Sequence, residues 1–213
     1  GGGSLSNEDF LAGVDRFTDL SGAVEVAEGG QIEAGSVALI GRSVANYGSI
    51  RSRDGMIALV AGGDVVLSDI DGHLSIRVEA TPEDTDDWAI QQAGTLDAGA
   101  GAVMLTAGDA YSLAMNHQGI TRGRDIELSA GDDGLLVVEG TLDASNSQSG
   151  GHGGSVRVLG DRVAVLDADI DASGDAGGGE ILIGGDTRGT GHIGNARRVF
   201  VGADAQLRAD ALT

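Results

Sequence analysis

GTLDAGAGAVMLTAG (94–108) is the stretch that decides the fold. It reads as a glycine, an apolar residue flanked by polar ones, a small residue, a glycine-rich corner, and two apolar residues spaced by one. The same order returns in GQIEAGSVALIG (30–41), GSIRSRDGMIALVAG (48–62), QGITRGRDIELSAG (118–131), GTLDASNSQSGGHGGSVRVLG (140–160) and ADIDASGDAGGGEILIGG (168–185). Repetition at this scale means that one supersecondary unit is stacked on itself, which outranks local propensity.

Working outward from that segment, Val103 and Leu105 alternate with polar or small neighbours. So do Val37 and Leu39, Ile57 and Leu59, Ile126 and Leu128, Val156 and Val158, and Ile181 and Ile183. A period of two predicts strands with these side chains on one face. The short strand before each places Ile32, Ile50, Leu96, Ile120, Leu142 and Ile170 inward and Glu33, Arg51, Asp97, Thr121, Asp143 and Asp171 outward. The next position is small in Ala34, Ser52, Ala98, Ala144 and Ala172, as a tight corner requires, with Arg122 as the exception. A third strand follows at Val44–Asn46, Val65–Leu67, Leu113–Met115, Val163–Val165 and Val199–Val201.

Three short strands per unit with no helical stripe describe a coil. The Asp-Gly pairs at Asp54-Gly55, Asp71-Gly72 and Asp133-Gly134 do not recur at one repeat position, so hairpins are not the repeating unit. Each coil buries its apolar face only because its neighbours cover it. The expected fold is all-β, a right-handed parallel β-helix of about seven to eight coils. The interval from Ile57 to Val103 is twice the usual one, which predicts an additional coil through DVVLSDIDGHLSIRVEA (64–80). Residues 1–29 read as a linker, opened by GGGS, and a first-coil or capping segment with a short helix near SNEDFLAG. Residues 30–213 read as the β-helix, with loops near 81–93, around Pro82, and 145–154, around NSQSGGHGG.

Composition narrows the function. Glycine supplies 38 of 213 residues, yet there is one proline and no collagen period. Aromatic residues are 3%, which suits a narrow interior of Val, Ile, Leu and Ala. A formal charge of −20 repels nucleic acid and anionic lipid, so neither is an expected partner. Cysteine is absent, and no uninterrupted apolar run approaches the roughly 20 residues of a membrane span, so no stable membrane insertion is expected.

The chemistry-bearing candidates are few. Asp97, Asp143 and Asp171 share one repeat position and predict an external column of acids, interrupted by Arg51, Thr121 and Arg208. Such a column, or the run Asp167-Ala168-Asp169-Ile170-Asp171, could hold a cation, but a solvated face explains both. His73, His117, His152 and His192 lack zinc-ligand spacing. GGHGGS (150–155) lacks the lysine of a phosphate loop, and no serine sits in a nucleophile elbow. Only Trp88 and Tyr111 could serve as sugar platforms. No catalytic, cofactor or metal residue is assigned.

With the coils laid out, the sequence resembles the filamentous haemagglutinin family, the large exoproteins of two-partner secretion. SNEDFLAGVDRFT (6–18), IEAGSVALIGRSVANYGSIRSRDGMIALVAGGDVVLSDIDGHLSIRV (32–78) and the segments GTLDAS, GGSVRVLGDRVAVLDADIDASGDAGGGEILIGGD and NARRVFVGADAQLRADA within 140–211 carry the resemblance. It implies export of the unfolded chain through an outer-membrane β-barrel transporter, folding coil by coil outside the cell, and residence as a secreted or bacterial cell-surface protein. The family's early Asn-Pro segments are absent, so the resemblance begins part-way through the secretion domain. The expected function is a structural and adhesive scaffold, with a host or cell-surface receptor or glycan as its partner and no catalysis of its own. A carbohydrate-active enzyme and the stalk of a contact-dependent toxin stand as alternatives.

Overall fold

The computed structural model describes residues 4, 6–12, 15–70, 73–80, 87–109, 111–186, 189–191 and 193–213. Among these, the chain winds through three parallel sheets. Sheet A holds Val37–Gly41, Met56–Ala61, Ala102–Ala107, Asp125–Ser129, Ser155–Leu159 and Glu180–Ile183. Sheet B holds Ala23–Val26, Ser43–Asn46, Ile90–Gln92, Leu113–His117, Leu135–Val138, Arg162–Val165 and Arg198–Val201. Sheet C holds Gln31–Ala34, Ser49–Ser52, Thr95–Asp97, Ile120–Arg122, Thr141–Asp143, Asp169–Asp171 and Gln206–Arg208. The chain visits B, C and A in turn and returns to B one layer on, which makes a parallel β-helix.

Register is set by the apolar ladders. Val37, Ile57, Val103, Ile126, Val156 and Ile181 stack in sheet A beside Leu39, Leu59, Leu105, Leu128, Val158 and Ile183. In the middle layers these side chains are fully buried, Leu59, Leu105, Leu128 and Val158 at 0% exposure. A slip of one residue would turn the whole set outward, so alternation fixes the pairing. In the last layer Val199 and Val201 hold ladder positions yet are 46% exposed, because no coil lies over them.

Repeats from Gly30 to Gly140 place glycine at this corner for a steric reason, and Ala168 and Ala205 take the position in the last layers. A Cβ on Gly94 would lie 2.1 Å from the carbonyl oxygen of Gly48, and one on Gly119 would lie 2.1 Å from that of Gly94. At Gly94 and Gly119 backbone stacks on backbone, and only a residue without a side chain fits there.

The structure corrects three sequence expectations. In sheet C, Leu96 pairs with Thr121 and not with Ile120, so Thr121 points inward at 0% exposure and Ile120 outward. Arg122 then joins the outward column, and Gly123 takes the small corner position. Thr121 tolerates the interior because it finds a polar partner there, described below.

The segment 64–80 is not a coil, and Val65–Leu67 is not a third strand of the helix. Ile57 pairs directly with Val103, and Asp64–Ile70 pairs antiparallel with His73–Ala80 and with Asp15–Phe17. The two strands meet at Ile70 and His73, on either side of Asp71-Gly72. Asp71 and Gly72 lie outside the described residues. The three-stranded sheet covers the outer face of sheet A. Leu20, Ala58, Val60 and Val65 form a second apolar cluster with Phe17, Ile40, Met56, Leu67, Ile76 and Val78 around it. Met56–Ala61 is therefore buried on both faces, which is why MIALVA reads as a nearly unbroken apolar run.

The loop expected near 81–93 gives way to strand at Ile90–Gln92, whose Ile90 and Gln92 are fully buried; residues 81–86 lie outside the described residues. The segment 145–154 carries no strand and is exposed at 145, 147–150 and 152. It stacks on the next coil's corner, with bridges at Asn146–Gly174 and His152–Gly177, and Gly174 bridges on to Ala211. Its small residues serve this close backbone approach. Before the first coil, Asn7–Ala12 forms a short helix, with Asp9 N donating to Ser6 Oγ at 3.0 Å as an N-terminal cap.

Candidate functional site

The outward column of sheet C is where the sequence placed its acids. In order along the stack it reads Glu33, Arg51, Asp97, Arg122, Asp143, Asp171 and Arg208. Arg51 reaches Asp97 at 3.3 Å and Arg122 reaches Asp143 at 3.5 Å. Arg208 reaches both Asp171 at 3.3 Å and Asp169 at 2.6 Å. Like-charge repulsion at coil spacing is thus relieved by interleaved arginines. Asp169 and Asp171 of the expected cation run share Arg208, and Asp167 is exposed beyond the strand.

The aspartates have a second task that explains their recurrence. Asp97 Oδ1 accepts from Gly99 N at 3.1 Å, Asp143 Oδ1 from Ser145 N at 3.1 Å, and Asp171 Oδ1 from Ser173 N at 2.8 Å. Each closes the turn that leads out of sheet C, a familiar use of Asp at corners. Burial pushes the Asp171 carboxyl up, but hydrogen bonds from Ser173 and Arg208 outweigh it and hold the group below its ordinary range. Among the described residues, no group of three or more His, Cys, Asp or Glu side chains is placed to hold a metal ion.

A ledge lies beside this column. The corners after Asp97 and Arg122 are short, whereas the one after Asp143 extends into the 145–154 arm. The step leaves a cavity of about 350 Å³ lined by Asp97, Arg122, Arg124, Asp143, Asn146 and His152, among others. Its carboxylates are already engaged by arginines and turn amides. A broader groove of about 710 Å³ runs over the outer face of sheet A past Met56, Met104, Glu127 and Arg157.

The described histidines lie in different parts of the fold. His152 is exposed on the arm, His73 lies in the antiparallel sheet, and His192 falls outside the described residues. His117 is different, and the sequence reading missed its role. In sheet B the second inward ladder runs Val26, Asn46, Gln92, His117, Val138, Val165 and Val201, so three polar residues stack inside an apolar interior. Asn46 Nδ2 donates to Gln92 Oε1 at 2.9 Å, Gln92 Nε2 to the Gly94 carbonyl at 3.0 Å, and His117 Nε2 lies 2.8 Å from Thr121 Oγ1. Burial pushes the His117 pKa down to about 4, so the ring is neutral at pH 7. The available signal was positional, since Asn46, Gln92 and His117 each precede a repeat glycine by two residues.

On the far edge, Asp161 is buried and takes two hydrogen bonds from Arg197, at 2.6 and 2.7 Å. The Arg197 hydrogen bonds hold its carboxyl below the usual range. This pair ties the long corner before Arg198–Val201 back to the coil below. Trp88 and Tyr111, far apart in sequence, line one cavity at the corner between sheets A and B.

No protein-family model matches the chain, and no curated protein matches it. Among solved structures the chain is similar to the HMW1 secretion domain from Haemophilus influenzae, with a TM-score of 0.81 and 28% sequence identity. The likeness covers 98% of this chain and 57% of that one, so this chain spans little more than half the length of its structural neighbour.

Proposed function

We propose that this chain is a segment of a two-partner secretion exoprotein, of the kind to which filamentous haemagglutinin belongs. In this reading an outer-membrane β-barrel transporter passes the chain unfolded, and the chain then folds outside the cell into a rod that holds distal segments away from the surface. The observation that carries the proposal is the likeness of the whole coil stack, including nearly every residue here, to a structure named as a secretion domain. The absence of cysteine and the narrow aliphatic interior agree with export as an unfolded thread. Among the described residues no helix is long and apolar enough to cross a membrane.

Scaffolding, not catalysis, is the activity we assign. The acids of the outer column are neutralised by arginines and used to close turns, which leaves them poorly placed for acid–base work. Presentation of receptor- or glycan-binding surfaces belongs to the same reading, with residues 1–29 serving as a linker and first-coil or capping segment.

The export reading is tested by grafting residues 23–213 in place of the matching coils of a two-partner exoprotein and following the product with and without that exoprotein's transporter. The expected result is protease-resistant chimera in the medium only when the transporter is present. Retention in the periplasm in both cases overturns it.

A further inference from the structure

The corner between sheets A and B carries a second site. Four successive layers of this corner stand open beside one another. They contribute Ser21 and Ala23, then Arg42 and Ser43, then Asp87 and Trp88, then Tyr111, around a cavity of about 330 Å³. That volume lies at the lower end of the roughly 300–1,000 Å³ of small-molecule sites. The chain's single tryptophan and one of its two tyrosines meet here, in a protein that is 3% aromatic.

Tyr111 forms the floor. It is 1% exposed, and its hydroxyl donates to the Arg42 carbonyl, spanning the layer from which the insertion departs. Burial pushes the phenol pKa up to about 12, so the hydroxyl stays a donor at any ordinary pH. Trp88 is partly exposed and supplies an indole wall with one N–H donor. The Arg42 guanidinium and the hydroxyls of Ser21 and Ser43 make no side-chain hydrogen bond or ion pair among the described residues, whereas most other arginines are paired. Among the described residues Asp87 is the single carboxylate in the lining, and it is engaged within the protein.

An aromatic wall, an uncommitted cation and two uncommitted hydroxyls match a flat polyol ring that bears a carboxylate. We propose that this corner cavity binds one acidic pyranose unit of a saccharide, its carboxylate on Arg42, its hydroxyls on Ser21 and Ser43, and its C–H face against Trp88. The charge of −20 does not forbid an anionic ligand, because acids farther than about 8 Å away are screened at physiological ionic strength. The inference stands apart from the export reading, because its test uses the folded chain alone.

Trp88, as the only tryptophan, reports on the cavity directly by its fluorescence. Titration with trigalacturonate should give a saturable change with Kd on the order of 1 mM or tighter. The methyl-esterified trisaccharide, which keeps the ring and loses the charge, should bind about tenfold more weakly, and Arg42→Met should bring the acidic sugar down to the same level. No saturable change up to about 10 mM trigalacturonate overturns the proposal. Equal affinity for the acid and the ester, measured on the unaltered protein, overturns it as well.

Discussion

The coil stack and the antiparallel sheet laid upon it use the same alternating Val, Ile and Leu, yet they bury them differently. In the stack, inward side chains are covered by the layers above and below. In Asp64–Ile70 and His73–Ala80 they are covered by a face of the stack itself. The strand Met56–Ala61 belongs to both cores at once. The comparison teaches that alternation specifies a face, whereas the neighbouring surface decides whether one face or two are buried.

The largest effect should come from breaking the inner ladder. Val156→Asp places a charge at a fully buried rung between Ile126 and Ile181, and we expect a loss of about 4 kcal/mol or more, read from urea unfolding. If this variant melts like the parent, the interior is misassigned. Next, Val60→Asp should cost about 3 kcal/mol and expose 64–80 to protease, because the antiparallel sheet seals that outward position. Its ladder partner one layer on, Thr106, has no such cover, and Thr106→Asp should stay within about 0.5 kcal/mol. Equal costs at the two positions would show that the antiparallel sheet does not shield the stack.

A third measurement sharpens the contrast between apolar and polar rungs. The folded pKa of His117 lies at about 4, below the unfolded value of about 6.5. The unfolded chain therefore binds the proton first, and stability from this group is full above pH 6.5 and declines as pH falls toward 4. Relative to His117→Gln, the parent should lose about 2 kcal/mol between pH 7 and pH 4.5 in parallel urea titrations. Parallel curves for the two proteins would place the ring in solvent. The smallest effect belongs to the outer column. Arg122→Ala removes an exposed ion pair and should cost about 0.5 kcal/mol at low salt, a difference that vanishes near 1 M salt.

Much of the spiral was legible before any coordinates. Val103 with Leu105, and their counterparts, mark sheet A because a period of two survives in every repeat, and Gly94 and Gly119 mark the corners because no other residue fits. The register at Thr121 was not legible. Ile120 is the more apolar of two adjacent residues, so a rule based on hydrophobicity chooses it. The structure instead turns Thr121 inward, where His117 offers its hydroxyl a partner. Likewise the arginines of the outer column could be counted but not matched to Asp97 and Asp143, since matching depends on register across coils.

The sequence alone determined that the chain repeats, that its strands alternate and that its corners must be small. Only the tertiary structure decided which repeat stacks on which, that 64–80 folds back antiparallel onto sheet A, and that Trp88 and Tyr111 share a cavity with Arg42. The physical reason is range. Alternation and glycine sterics act between near neighbours along the chain, whereas burial of a face or closure of a cavity depends on residues one or more full turns away.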